Sequence, residues 1–350
     1  MKAVVVNGSK AQLVDDRPLP RLRDGYLLVK PQAVALNPTD WKHIAFNRAK
    51  DGCLVGCDYA GVVEEVGQGV SKAWRKGERI CGVAHGTNLV NVEDGVFAEY
   101  AVVKGDVQMR IPESLSDEKA ATVSLGAITV GQGLYQKSLR LNLPTDPIQT
   151  QEYVLIYGGG TATGGLAVQY AKLSGYTVIT ICGADQFEHL KSLGADYTFD
   201  YTDPQTGEKI RTLTENSLKY AWDTIAIESS AQMCADALST YPGTRYGTTN
   251  AVKMPRDDVK STFTVMHTMY GEAFTFGPVE FEASPEDFEF AKLFMGLTEK
   301  LLAEGKLKTH PEIVGEGGLA GVIQGLDDLQ SGKIHGVKLV YRVADTPDGK

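Results

Sequence analysis

The sequence predicts an α/β chain in two parts, a β-rich domain followed by a doubly wound parallel sheet. Three observations predict it. Short apolar runs separated by Pro and Gly fill about the first 125 residues. From Tyr153 onward, strand-like and helix-like segments alternate, which implies βαβ units. A glycine cluster, Gly158-Gly159-Gly160 with Gly164-Gly165, lies where the first of those strands meets its helix.

The β-rich part opens with Ala3–Val6, followed by Tyr26–Lys30, Ala33–Leu36 and Asp58–Gly67, the last closed by a glycine turn. Lys76–Ile80 and Gly95–Val103 continue it. Ser116 is positioned to cap a helix reaching Gly126, with Asp117 and Glu118 in the first turn. Lys137–Glu152 fits neither period and reads as a surface loop. Strands are then expected at Tyr153–Tyr157, Thr177–Cys182, Tyr197–Asp200, Tyr220–Ile225 and Thr244–Thr249, with helices at Thr163–Leu173 and Gln186–Leu193. Pro285–Glu304 carries Phe288, Leu293, Phe294, Leu297, Leu301 and Leu302 at helical spacing, a stripe expected in the core, with Gly305 as its stop. Leu319–Ser331 reads as a further helix, Lys338–Val343 as a last strand, and Asp345–Lys350 as a disordered tail.

Composition narrows the function classes. A net charge of −9 argues against a general nucleic-acid binder, which needs a basic face to displace counterions. It also disfavours docking on anionic lipid. No apolar run approaches the length of a membrane span, and the start, Met1 to Lys10, lacks the apolar core of a secretory signal. Cys53, Cys57, Cys81, Cys182 and Cys234 are scattered and odd in number, so a disulfide framework is not expected and the chain reads as cytoplasmic.

The glycine cluster carries the chemistry. A glycine turn lets the backbone approach a pyrophosphate, and the following helix presents free N–H groups to it. Thr161 and Thr163 add hydroxyls around Gly160, Ala162 and Gly164. The dinucleotide fingerprint fits Gly158 and Gly160, with its third glycine one residue late at Gly164. The next strand ends Cys182-Gly183-Ala184-Asp185-Gln186. An NAD site would place a carboxylate at that tip, so an uncharged tip favours NADPH, with Lys191 or Tyr201 within reach of its 2′-phosphate.

Longer stretches resemble one family. Ala35–Asp40, Gly56-Cys57-Asp58-Tyr59-Ala60-Gly61, Lys76–Arg79, Gly95–Tyr100, Leu193–Asp196 and Ser331–Val340 follow the medium-chain dehydrogenase/reductase pattern in its order. Tyr157–Thr163, Leu173–Tyr176, Phe199–Tyr201 and the Met269–Glu272 segment are similar to the zinc-free, trans-acting enoyl reductases of fungal polyketide pathways. The resemblance implies a GroES-like catalytic domain (residues 1–127), a Rossmann NADPH-binding domain (128–280) and a C-terminal segment (281–350) returning to the first. Zinc is not expected. Asn37 and Cys57 stand at two ligand positions of the zinc-dependent relatives, and the four-cysteine lobe is missing.

The resemblance also implies site residues. Thr39, Asp40, Trp41 and Lys42 fall beside the nicotinamide end, and Lys42 is the candidate for a charged contact to ribose or reacting oxygen. Tyr59 is a candidate proton donor, with a core tyrosine as the alternative. Cofactor contacts are further expected at Gly160 to Gly164, Gly183 to Gln186, Tyr201, Thr249, Asn250, His335 and Gly336. Leu125, Gly126 and Thr129 with Met269, Tyr270, Gly271, Glu272 and Ala273 are expected at the substrate. The activity implied is NADPH-dependent reduction of an α,β-unsaturated thioester held on a partner polyketide synthase, alone or as a polyketide synthase–peptide synthetase hybrid, by a monomer or homodimer. The alternative is a zinc-free quinone oxidoreductase or alkenal reductase acting on free enones.

Overall fold

Alternating burial shapes the first stretch of the chain. A computed structural model describes residues 1–348. It opens with β1 (Ala3–Asn7), β2 (Lys10–Val14), β3 (Tyr26–Ala35), α1 (Pro38–Ala45), β4 (Asp58–Val66), β5 (Arg79–Val83), β6 (Ala101–Lys104) and β7 (Met109–Arg110). Two short helices follow, α2 (Asp117–Ala120) and α3 (Ser124–Val130). Next come β8 (Tyr153–Tyr157), α4 (Ala162–Leu173), β9 (Thr177–Cys182), α5 (Phe187–Ser192), β10 (Tyr197–Asp200), α6 (Thr206–Leu213), β11 (Tyr220–Asp223), α7 (Glu228–Ala237), β12 (Arg245–Thr248) and β13 (Lys260–Phe263). The chain closes with β14 (Phe274–Phe276), β15 (Val279–Phe281), α8 (Pro285–Ala303), β16 (Glu312–Gly315), α9 (Gly318–Gln330) and β17 (Lys338–Arg342).

Two units result: Met1–Leu125 with His267–Lys350, and Gly126–Met266. In the first, a seven-stranded sheet runs β16-β17-β3-β4-β5-β7, with β6 also on β3. Its core joins Leu27, Val29, Val34, Tyr59, Val63, Ile80 and Phe97 to Val322 and Leu326 of α9. In the second, six parallel strands run β10-β9-β8-β11-β12-β13. Order reverses between β8 and β11, the arrangement of a doubly wound dinucleotide-binding sheet. Val154, Leu155 and Ile156 of β8 are wholly buried, as expected of a strand in the middle of a parallel sheet.

Several elements differ from the sequence expectation. Tyr26–Lys30 and Ala33–Leu36 form one strand, because a register shift between Pro31 and Ala33 accommodates a residue with no N–H. Lys76–Glu78 is a turn, with Gly77 at φ 87°, and the strand begins at Arg79. Residues 95–100 are irregular apart from a bridge between Ala3 and Ala98. The helix capped by Ser116 stops at Ala120, and a second helical stretch, α3 with a π-helical turn at Gly131–Gln136, went unforeseen. Gly133 permits that turn: a Cβ there would fall 2.5 Å from Trp222 Nε1.

On α8 the buried face is Ala291, Phe294, Met295, Thr298, Leu301 and Leu302, whereas Leu293 is 55% exposed. Arg110 N–H donates to Glu299 Oε2 of that helix (3.0 Å), and Lys72 pairs with the same carboxylate. The segment 267–280, placed by sequence in the Rossmann domain, belongs to the first unit, where its rings pack on His43 and His85. The expected disordered tail is ordered to Asp348, since Val343–Asp345 forms a 3₁₀ turn and Lys2 Nζ lies 2.9 Å from Asp348 Oδ1. The end of that expected tail, residues 349–350, lies outside the described residues. Among these residues no helix is long and apolar enough to cross a membrane.

Candidate functional site

In the second unit, the candidate residues gather at the carboxyl edge of the parallel sheet. After β8 the chain turns through Gly158 at φ 81°, a left-handed conformation suited to glycine. Thr161 then caps α4: its Oγ1 accepts the Gly164 N–H at 2.9 Å and donates to the Gly158 carbonyl at 2.9 Å. This cap leaves the N–H groups of Ala162 and Thr163 at the first two helical positions, where a helix attracts anions. Gly164 seats the helix on the loop, because a Cβ there would sit 2.1 Å from the Gly158 oxygen. The late third glycine therefore performs the packing role of the fingerprint. A Cβ on Gly160 would meet only the flexible Gln186 side chain, at 3.1 Å.

The tip after β9 differs from its sequence reading. Asp185 turns back toward Gly183, with Oδ1 at 2.6 Å from where a Gly183 Cβ would stand. The tip thus carries a carboxylate that spacing alone set further away. Tyr201, 54% exposed, flanks the same point, with Cε1 at 3.8 Å. Ala184 is exposed beside it, and Lys191 is spent on Glu188 at 2.9 Å.

Next along the edge, Thr224 Oγ1 reaches the Tyr157 carbonyl (3.0 Å) and lies 3.1 Å from Thr161 Oγ1. Buried Asp223 holds that turn, accepting N–H bonds from Ile225 and Ala226 at 2.9 Å, with Ser230 at 2.6 Å and Tyr246 at 2.8 Å. Sequence reasoning missed Thr224. Its position just past β11, beside the crossover, was the available signal. Thr249 Oγ1 donates to the Thr224 carbonyl (3.3 Å), and Asn250 is exposed at the end of β12.

The first unit brings together the α1 residues. Asp40 is buried and accepts the Asn37 N–H at 2.7 Å, closing the helix start. Burial pushes its carboxyl up to about 7. It therefore faces the interior and offers no contact surface. Trp41 packs on the core, and Lys42 Nζ lies 5.7 Å from its ring. Lys42 is half-buried with no acidic partner among the described residues, and burial, then Arg48, lowers its pKa. His335 is exposed, and Gly336 sits at φ 65°.

Beside Asn37, one of the two expected metal-ligand positions, the chain builds an ion pair. Lys338 Nζ lies 2.5 Å from Asp58 Oδ2, which also accepts from Asn37 Nδ2 at 3.0 Å, and Asp58 Oδ1 accepts the Leu125 N–H at 2.7 Å. Both members are buried, and such a pair holds only when its remaining lone pairs are satisfied in this way. Cys57 is buried beside it, whereas Cys53 is buried elsewhere, its thiol donating to the Asn88 carbonyl at 3.3 Å. Tyr59 Oη donates to Gln108 Oε1 at 3.0 Å inside the core, and burial raises its pKa, so the candidate donor is a core tyrosine.

Of the expected substrate residues, Leu125 and Thr129 are half-buried and four apart on α3, while Gly126 lies under Leu166. Met269 and Tyr270 are buried, contrary to a contact role for their side chains. Glu272 is held by Tyr26 Oη (2.7 Å) and Lys104 Nζ (2.5 Å), and Gly271 and Ala273 reach the surface on either side of it. A cavity of about 10 Å³, room for one water, is lined by Tyr26, His85, Asp94, Tyr270 and Glu272. Close by, the His267 ring lies 5.3 Å from that of His43 and 4.4 Å from that of His85, centroid to centroid, with the planes tilted.

Comparison with known proteins places this geometry. The alcohol dehydrogenase GroES-like domain matches residues 23–113, and the zinc-binding dehydrogenase domain matches 162–277. The chain is 46% identical to trans-enoyl reductase resD of Aspergillus sclerotiorum, over 98% of its own length and 100% of that protein's. The chain belongs to the trans-enoyl reductases. Trans-enoyl reductase TOXD of Cochliobolus carbonum is 51% identical, over 84% of this chain and 98% of that one. Among solved structures, an alcohol dehydrogenase superfamily protein from Novosphingobium aromaticivorans aligns at TM-score 0.79 and 20% identity, covering 98% and 99% of the two chains. Mycobacterial Rv1454c complexed with NADPH aligns at 0.71 and 21%, covering 98% and 100%. These trans-enoyl reductases are medium-chain dehydrogenase/reductases, and this member is an oxidoreductase with a GroES-like part and a Rossmann-type part.

Proposed function

We propose that this trans-enoyl reductase uses NADPH to reduce an α,β-unsaturated polyketide thioester carried by a partner synthase, in the cytoplasm and without a metal. When bound, NADPH supplies the hydride for the β-carbon of the enone. The chain's own residues bind and orient. The N–H groups at Ala162 and Thr163, at the Thr161-capped helix start, would hold the pyrophosphate. Gly183, Tyr201 and Gln186 would frame the adenine ribose, with Asp185 required to swing off the tip to admit a 2′-phosphate. Lys42, a cation without an acidic partner among the described residues, would neutralise charge that develops at the thioester oxygen or hold the nicotinamide ribose. The proton at the α-carbon is drawn from water. Asn37 and Cys57 stand at the two expected ligand positions, and Asn37 is engaged by Asp58 of the Lys338–Asp58 pair, so activity is expected to survive chelation.

The observation that carries this reading is the match to resD, 46% identical over 98% of this chain and 100% of that one. Loss of NADPH absorbance, followed in parallel with a crotonyl thioester, a quinone and no acceptor, tests it. Turnover with the thioester supports the proposal, and turnover with the quinone alone contradicts it.

A further inference from the structure

Thr87 carries an unusual backbone. Its φ is 60°, left-handed and costly for a β-branched residue, and such outliers persist where the side chain is wanted in one direction. Its Oγ1 lies 2.5 Å from the Gly86 carbonyl and 2.8 Å from His43 Nδ1. Two oxygens that close need a hydrogen between them, and only the threonine has one to give. The hydroxyl is therefore used as a donor toward Gly86, and His43 Nδ1 must supply the hydrogen for their contact. Burial keeps His43 neutral, its pKa lowered to about 4. Its Nε2 is then bare and accepts the Thr39 hydroxyl at 3.3 Å. Thr39 itself is half-buried, while His43 and Thr87 are 4% and 3% exposed.

We infer that His43 and Thr87 are positioning residues that lock the Thr39 hydroxyl as a hydrogen-bond acceptor toward the open side of α1. With its hydrogen spent on His43, Thr39 takes a donor such as a sugar hydroxyl and turns away a carbonyl oxygen, which needs a donor. Under the proposed function, on which this assignment rests, the sugar is the nicotinamide ribose, and the thioester oxygen must find its donor elsewhere.

Two measurements test the inference. In ¹⁵N-labelled protein without ligand, His43, identified by the signals lost in His43→Phe, is expected as the Nδ1–H tautomer. Thr87→Val should shift it toward Nε2–H. An Nε2–H ring in the unaltered protein, or no response to Thr87→Val, overturns the inference whatever the cofactor. The second measurement compares affinities for NADPH and for 2′,5′-ADP, which lacks the nicotinamide ribose. Thr39→Val and His43→Phe should weaken NADPH about five- to tenfold, as for one lost hydrogen bond, and leave 2′,5′-ADP unchanged. Thr39→Ser should restore NADPH binding. Equal losses for both ligands would make the chain of hydroxyls merely structural and overturn the inference. Unaltered protein that binds neither ligand would overturn the proposed cofactor instead, and the ribose assignment with it.

Discussion

Lys42 stands apart from the other lysines placed near the candidate site. Lys338 is spent on Asp58, Lys104 on Glu272 and Lys191 on Glu188, whereas Lys42 is half-buried with no carboxylate beside it among the described residues. An ammonium partly stripped of water and left unpaired gains most from an anionic or strongly polar ligand. Lys42→Ala is expected to lower kcat/KM with a thioester by about 10- to 100-fold, the worth of a charged hydrogen bond, without changing which nicotinamide cofactor is preferred. Steady-state kinetics check it, and an unchanged kcat/KM would make Lys42 an ordinary surface lysine. Gly164 gives a second residue-scale test. Its missing Cβ leaves 2.1 Å to the Gly158 oxygen, so Gly164→Ala must open the phosphate loop. NADPH affinity, read by fluorescence titration, should fall tenfold or more while circular dichroism shows the fold retained. Full affinity in a folded Gly164→Ala protein would remove the pyrophosphate from this loop.

Among the elements, those with strong periodicity were legible. β8, β9 and β10 begin and end where the sequence places them: β8 and β9 are apolar runs inside the parallel sheet, and β10, at its edge, is bounded by turns. The capping role of Ser116 and the stop at Gly305 were legible for the same local reason. What escaped depends on partners distant in sequence. Edge strand β13 and the β14–β15 hairpin are too short and mixed to announce themselves, and the π-helical turn exists because Trp222 packs on Gly133. The face of α8 was blurred likewise: Leu293 satisfies the hydrophobic pattern yet points outward, while Thr298 is buried by donating to the Phe294 carbonyl. Phe294→Ala is accordingly expected to cost about 3–5 kcal/mol and Leu293→Ala less than about 1 kcal/mol, measured by denaturant unfolding. Equal losses would mean the helix is rotated from the face described.

At the scale of the whole molecule, buried ionisable groups set the acid limit. His43, His85 and His267 are neutral in the fold, with burial lowering the first two to about 4 and about 3 and the third well below its usual value. The unfolded chain takes up protons on all three below about pH 6.5, so the stability they permit is present above that pH and is lost as pH falls. Asp40 and Asp94 act in the opposite sense, since burial raises them to about 7 and about 6, and folding then favours their protonated forms. Three groups oppose two, each worth about 1.4 kcal/mol per pH unit, so stability should fall by roughly that amount per unit between about pH 6 and 4.5. Unfolding free energies across this range check the slope, which should flatten or reverse in His85→Phe.

The function was legible at this scale more than in any one residue. The order of motifs along the chain pointed to the family, but the inward turn of Asp40 and Tyr59 and the Lys338–Asp58 pair required the folded structure, since each depends on residues far apart in sequence. The proposed reaction delivers a hydride from NADPH to the β-carbon of a thioester-bound enone. Its most direct test uses NADPH deuterated at the transferable position, with an α,β-unsaturated acyl thioester as acceptor and the deuterium located by NMR. One deuterium is expected at the β-carbon of a saturated thioester; a saturated product without deuterium, or deuterium at the carbonyl carbon, would rule this delivery out.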